Sequence, residues 1–452
     1  MSDLAARNGG RAGLAALAVV LLLGLGLRVD DAWKGREPVF DAVAYAKIAR
    51  NLDEGRGFTL GSSATQPASN YSSGLPLLVA GVYEVTGGAH ERTARLLLAL
   101  VGSLSVLFTY LIGRRLWSPG AGLIGAGAIA VYPALLEYQG MLMSEPLAAS
   151  LLSGAVLAVL WASDPRQRGL ARRWVLPGLL LGALTLVRPE YLGVAVLIAL
   201  GVALSFGIRK KARHHGWGDG AWRDSLAQAT VLLLGVAIIV APWTIRNAVA
   251  LDRFVPVSTG GGQVLFAGTY LPSDGDPEKV GAEVVERHPE LFGPNAVGRL
   301  RLEQILARLA ANRYPQLETD RALARMGREQ LWKDVSEEPL EYAGFVTAKV
   351  GRVWSHGPRN VMRQPAWGLL HWALVALGLI GLAALSLQRR WEALLLATIF
   401  VAVTAICALL VASPRRVLVT MPLVAALAGV GVVWLGQRLG EWRRSEQSDA
   451  TP

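Results

Sequence analysis

Seven charged residues stand where a chain dominated by apolar runs should not keep them: Asp41, Glu145, Arg188, Glu190, Arg246, Arg415 and Arg416. Near the centre of a membrane helix a carboxylate or guanidinium costs about 2.5–3.5 kcal/mol, so such groups persist at helix ends, in wet cavities or as pairs. Any one of them is accounted for by solvation at the membrane surface. Together they suggest a built site, and their types suit one chemistry. Arginines hold phosphate through forked, charge-assisted hydrogen bonds. A carboxylate can take the proton of an incoming hydroxyl or amine. Arg246 and Arg415, with Arg188 or Arg416 behind them, would grip a lipid phosphate while Asp41 activates the acceptor. The phosphate leaves with charge it already half carries, so little acid assistance is needed.

These residues converge only if long helices bring them to one side of a membrane. Of the 452 residues 52% are hydrophobic and 17% charged, and apolar runs near 20 residues recur from end to end, which indicates an all-α polytopic membrane protein. The runs are 12–29, 93–113, 120–136, 145–162, 175–187, 192–206, 227–245, 367–387, 393–411 and 417–435. They give about ten spans, within limits of nine to twelve. One uncertain stretch, 175–206, is about 48 Å long as a single helix against a hydrocarbon core near 30 Å. A hairpin bent at Arg188-Pro189-Glu190 fits better.

Arg114-Arg115, 166–173, 209–223, Arg389-Arg390 and 438–444 are basic links. With an uncleaved first helix and a cytoplasmic N-terminus, all five fall in the cytoplasm, along with the C-terminus. The seven nominated residues then lie outside. Arg415-Arg416 is basic yet outward, which suggests an anionic ligand there. The net charge of +11 fits basic loops on anionic lipid; a nucleic-acid binder would gather it on a soluble face. The single Cys407 lies in an apolar run, leaving no intrachain disulfide or thiolate metal cluster. His214-His215 lacks acidic or thiol partners at metal-site spacing.

Two long polar segments lie on the outer side, 30–91 and 247–365. In the first, apolar residues 44, 48, 49 and 52 recur at helical spacing, so a short surface helix starts near Asp41 and ends at Gly55 and Gly57. A second amphipathic or re-entrant piece covers 75–85. The second segment opens on a run of glycines, 260–262, which serves either close backbone approach or a flexible turn. Amphipathic helices at 297–311, 319–334 and 339–354 should form a small, mainly helical cap. The chain therefore divides into an N-terminal catalytic membrane module (1–246, including loop 30–91), an outer cap (247–365), C-terminal membrane helices (366–437) and a tail (438–452), disordered from Glu441.

The ordered motifs carry a family resemblance. Asp41, Tyr45 and Ile48-Ala49-Arg50-Asn51-Leu52 run into Gly55-Arg56-Gly57-Phe58. Ser73-Gly74-Leu75-Pro76-Leu77-Leu78 is followed by Arg92 and Arg95, Tyr132-Pro133, Ser144-Glu145-Pro146 and Arg188-Pro189-Glu190. Then come Pro242-Trp243-Thr244-Ile245-Arg246-Asn247, Val257-Ser258-Thr259-Gly260-Gly261 and Gly268. In this order they resemble the polytopic GT-C glycosyltransferases that use lipid-linked sugars, the group of the protein O-mannosyltransferases and lipid A aminoarabinose transferases. The resemblance implies a GT-C-like helix bundle that takes sugar from a polyprenyl-phosphate donor to an acceptor at the outer face of the cytoplasmic membrane, with inversion. Asp41 matches the family's first-loop acid, a general base or acceptor-orienting group. Glu145 matches the second acid, structural or catalytic. Arg246 and Arg415 match phosphate contacts less securely. From position alone, Tyr45, Tyr132 and Tyr138 are placed to touch a sugar, with packing as the alternative role. The tandem acids common in the family's first loop are missing, since Asp30 and Asp31 lie about ten residues upstream. A metal-dependent version would draw a divalent cation to Asp41, Glu145 and Glu190. The competing readings are a lipid or glycolipid flippase, which also needs a polar cavity and broken helices, and a non-enzymatic envelope assembly protein.

Overall fold

The computed structural model describes residues 2–39, 41–61, 67–164, 171–211, 221–273, 276–293, 296–355 and 357–449. His214, His215 and His356 lie outside the described residues. The helices in chain order are α1 Ser2–Lys34, α2 Asp41–Asp53, α3 Gly74–Thr86, α4 Glu91–Leu116, α5 Pro119–Ala130, α6 Pro133–Gln139 and α7 Ser144–Ala162. Then follow α8 Val175–Val187, α9 Tyr191–Lys211, α10 Ala221–Leu251, α11 Gly261–Thr269, α12 Pro277–Arg287, α13 Leu302–Arg313, α14 Thr319–Glu337 and α15 Pro339–Ser355. The last are α16 Pro365–Leu387, α17 Trp391–Leu409, α18 Pro414–Leu418 and α19 Met421–Asp449. Among the described residues the only strand pairing is two isolated bridges.

The expected spans are helical, but among the described residues seven helices are long and apolar enough to cross a membrane, those built on α1, α4, α7, α10, α16, α17 and α19, or eight if the bent pair α5–α6 is one span. The run 120–136 is not one rod. It breaks into α5 and α6, bent by 52°. Pro133 disfavours helical backbone at the residue before it, and Tyr132 is accordingly extended at φ −68°, ψ 110°. The break strands the last carbonyls of α5, and the buried Arg28 of α1 satisfies them: its guanidinium donates to Ile129 O at 3.1 Å and Ala130 O at 3.2 Å. A membrane-buried arginine is thus explained by a broken neighbour.

Close contacts fix helix directions. A Cβ on Gly178 of α8 would lie 2.2 Å from Leu232 O of α10, and one on Gly182 would meet Val236 and Ile239. The two helices therefore run the same way and touch backbone to backbone, a packing that only small residues allow. α7 runs opposite to them. Trp161 near its end meets Arg173 before α8, while Glu145 at its start meets Arg188 after α8. α9 departs from that same turn and packs along α10, so the chain reverses at Arg188–Glu190 as the hairpin reading requires. At the opposite end Arg115 faces Asp164 at 3.6 Å and Arg390 donates to the Leu116 carbonyl. Arg115, Arg173 and Arg390 therefore gather at one end of the bundle and the acidic residues of interest at the other.

Over the acidic end sits a cap with its own core, including Phe266, Tyr270, Val284, Leu306, Leu309 and Leu323. Two of the three expected helices, α13 and α14, build this core, whereas α15 adds no residue to it: its Val353 joins the main core and the helix packs on α17. α11 and α12 were not anticipated. Gly260 takes the left-handed φ of 93° that starts α11, and a Cβ on Gly262 would fall 1.9 Å from Asp320 O. Of the two readings of the glycine run, close backbone approach is the one seen. The expected disordered tail from Glu441 is also corrected: α19 continues to Asp449. Good helix formers fill this stretch, and Arg438 pairs with Glu441 one turn on at 3.1 Å.

Candidate active site at the acidic end of the bundle

Arg415 joins residues from three distant parts of the chain. Its Nε donates to Glu145 Oε1 at 2.6 Å and its terminal NH2 to Asp41 Oδ2 at 3.0 Å. Arg188 reaches the same Glu145 oxygen at 2.8 Å and Glu190 at 3.6 Å, and Arg416 closes the chain on Glu190 at 3.7 Å. Five helix termini position this network. Asp41 opens α2, Glu145 is the second residue of α7, Arg188 caps α8, Glu190 precedes α9, and Arg415 and Arg416 lie in the first turn of α18. Both acids at α2 and α7 face helix N-termini, where the partial positive charge favours carboxylate. The turn before α7 carries Leu142 in the left-handed region at φ 55°, a strained conformation held next to the buried acid.

Burial separates the roles. Glu145 is fully enclosed, whereas the Asp41 side chain keeps 43% of its surface and Arg415 keeps 20%. Glu145 therefore works as the fixed counter-charge of two guanidinium groups, and Asp41 stands at the rim within reach of an incoming molecule. Burial and then the Glu145 and Asp41 carboxylates act on Arg415; the carboxylates prevail, and its pKa is raised, so it stays a cation. Tyr45, nearly buried and edge-on to Tyr71 at 6.1 Å, has its hydroxyl pushed up to about 12, first by burial and then by Asp41. It remains a neutral phenol. Several buried polar atoms here lack a hydrogen-bond partner among the described residues: Glu145 Oε2, Arg188 Nε, Ser144 Oγ and Tyr191 OH. Such groups are costly unless a ligand or solvent meets them.

Arg246 does not join this network. Its guanidinium lies 4.9 Å from the Trp243 ring centre and 5.6 Å from that of Phe58, and donates to Asn247 Oδ1 at 3.1 Å. The motif around it fastens loops: Trp243 Nε1 donates to Val257 O at 2.8 Å, and Asn247 Nδ2 to the same carbonyl at 2.9 Å. Thr259 N then donates to Ser69 O at 2.7 Å, tying the cap's first loop to the loop after α2.

Arg415 and Arg188 occupy the space between Asp41, Glu145 and Glu190, and no cluster of three acidic, histidine or cysteine ligands occurs among the described residues. A divalent ion would have to displace both guanidinium groups.

Two cationic residues escaped the sequence reading. Arg359 pairs with Glu137 at 3.0 Å and lies 6.0 Å from the Tyr138 ring, which Arg415 approaches at 5.9 Å. Lys349 of α15 is fully buried, and its Nζ donates to Gly268 O at 2.6 Å. It lies on one face with Tyr342 and Val353, and a lysine interrupting an apolar stripe is the signal that could have revealed it. His371 also has a defined place, accepting from Tyr132 OH at 2.8 Å if its Nε2 donates to Trp354 O at 2.9 Å.

A family profile described as dolichyl-phosphate-mannose-protein mannosyltransferase matches residues 73–245. Among solved structures, the Archaeoglobus fulgidus oligosaccharyltransferase in the apo form superposes with a TM-score of 0.57 at 18% identity, over 97% of this chain and 52% of that one. The bundle has the GT-C fold. The archaeal oligosaccharyltransferase AglB from Archaeoglobus fulgidus, in complex with an inhibitory peptide and a dolichol-phosphate, gives the same TM-score at 17% identity, over 97% of this chain and 52% of that one. The chain thus spans about half the length of these structures. ArnT from Cupriavidus metallidurans bound to undecaprenyl phosphate aligns over 94% of this chain and 77% of its own at 14% identity, with a TM-score of 0.39, a superposition too loose to argue from. No curated protein matches the chain.

Proposed function

We propose that this GT-C protein is a glycosyltransferase that moves a sugar from a polyprenyl-phosphate donor to an acceptor at the outer face of the cell membrane, with inversion. The observation that carries this reading is the sharing of Arg415 by Asp41 and Glu145, residues 374 and 270 positions away from it in sequence. Arg415 is oriented from behind by buried Glu145 and offers its outer face at the rim, where the donor phosphate takes over from Asp41. Arg416 and Arg188 add positive charge behind it, and Tyr45 lines the approach. The Asp41 carboxylate, released by the phosphate, accepts the proton as the acceptor's hydroxyl or amine attacks the anomeric carbon. The glycosidic C–O bond to phosphate breaks, and polyprenyl phosphate departs paired with Arg415. The archaeal relative that holds dolichol-phosphate supports a lipid phosphate as the leaving group. Arg246, set apart from the network, serves the loops instead of the phosphate in this mechanism.

In the membrane, α8 and α9 complete about ten spans, with both termini and the basic links in the cytoplasm, as the charge bias requires. The site then faces outward, with α2 and α3 on the surface and the cap above. Reconstituted protein given a polyprenyl-phosphate sugar labelled in the sugar tests the proposal. Label leaving the lipid in the wild type, and retained on it with Asp41→Asn, is the expected result. Label that crosses between leaflets with its bond to phosphate intact would make the protein a flippase.

A further inference from the structure

A recess lies at the other end of the bundle, where α7 ends and α8 begins. Trp161, Arg172, Arg173, Val175, Leu176 and Leu179 line this open, mostly apolar groove of about 360 Å³. Trp161, Val175 and Leu176 are exposed large apolar side chains, and 175, 176 and 179 share one face of α8. At the mouth, the Arg173 guanidinium stacks 5.0 Å from the Trp161 ring centre. This contact fixes the plane of the fork. One Arg173 terminal nitrogen, NH1, is buried and has no hydrogen-bond partner among the described residues. A desolvated cationic donor with no acceptor is a defect in a closed structure and an asset in an anion site. Nearby, Asp164 faces Arg115 at 3.6 Å, so that acid already has a cation beside it.

We propose that this recess binds an anionic phospholipid, its phosphate held by Arg172 and Arg173 and an acyl chain lying along Val175, Leu176 and Leu179. Two guanidinium groups next to an apolar wall match a ligand that is anionic at one end and hydrocarbon at the other. Free phosphate would satisfy the arginines and leave the wall wet. The lipid would brace the α7–α8 junction, and α7 and α8 carry Glu145 and Arg188 at their far ends. The inference does not depend on the transferase reading.

Native mass spectrometry of the full-length protein released from detergent tests it, with phosphatidylglycerol, phosphatidylcholine and inorganic phosphate as probes. Wild type should retain one equivalent of phosphatidylglycerol against excess phosphatidylcholine. Arg172→Gln/Arg173→Gln should weaken that equivalent about thirtyfold, from the usual worth of two basic groups at an anionic lipid. Arg443→Gln/Arg444→Gln, which removes equal charge outside the cavity, should not. Equal loss from both variants would reduce the effect to bulk attraction and overturn the site. Displacement of the lipid by millimolar inorganic phosphate would overturn the acyl contact. Leu176→Ser, an exposed position, provides a second variant: it should weaken retention with both arginines in place, and unchanged retention would also contradict the proposal.

Discussion

Asp41→Asn should separate donor binding from transfer in opposite directions. In the resting structure Asp41 and an incoming phosphate compete for the outer face of Arg415. The Asp41–Arg415 pair is 3.0 Å long with 43% of the Asp41 side chain exposed, so losing it costs about 0.2–1 kcal/mol. A phosphate seated about 6 Å from the Asp41 carboxylate would be repelled by about 1–3 kcal/mol for an effective dielectric between 80 and 20. Neutralising Asp41 removes both the competitor and the repulsion. With salt screening, polyprenyl phosphate should bind about 5–30-fold tighter, from a net gain of about 1–2 kcal/mol. Transfer should fall about 10²–10⁴-fold, the usual contribution of a general base. Folding should scarcely change, because Asp41 stands at the rim. The assay is equilibrium binding of radiolabelled polyprenyl phosphate in nanodiscs, paired with single-turnover transfer. Weaker lipid binding by Asp41→Asn, or transfer at the wild-type rate, would refute the competition argument.

Glu145→Gln should act on stability instead. It leaves Arg415 and Arg188 without their shared buried counter-charge and should cost about 3–5 kcal/mol in denaturant unfolding; a loss under about 1 kcal/mol would contradict the counter-charge role. Lys349 should give a pH signature. Burial lowers its pKa to about 8 from an unfolded value near 10.5, so the unfolded chain binds the extra proton between those values. Stability should therefore rise from pH 8 to about 10.5, by about 3 kcal/mol, and Lys349→Met should flatten that rise. Gly268→Ala puts a Cβ 2.3 Å from the Leu410 backbone, at the joint that Lys349 clasps. It should cost about 1–3 kcal/mol and speed amide exchange over residues 261–273.

The helices were legible because hydrocarbon enforces helix on long apolar runs, although among the described residues seven, or eight with the bent pair, are long enough to span against the ten expected. The meeting of Asp41, Glu145, Arg188, Glu190, Arg415 and Arg416 followed from the bookkeeping of helix ends. What failed were features set by particular neighbours. The bend at Tyr132-Pro133 was hidden inside an apolar stretch, and the Arg28 that repairs it looked like a flank of the first helix. The surroundings of Arg246 were not legible either, because its rank at a helix end says nothing about which loop it faces; Trp243 and Phe58 decide that. Cap helices α11 and α12 begin at glycine and proline punctuation, which reads as loop until packing selects helix.

The central claim is that Arg415 receives the donor phosphate and directs sugar off the lipid. Single-turnover transfer from a sugar-labelled polyprenyl phosphate, measured for wild type, Arg415→Lys and Arg415→Ala, tests it most directly. Lysine should restore part of the activity by charge while losing the two-point hold on Glu145 and the rim, and alanine should lower transfer at least about a hundredfold, in line with loss of a charge-stabilising group. Wild-type turnover by a folded Arg415→Ala protein would place the chemistry somewhere else.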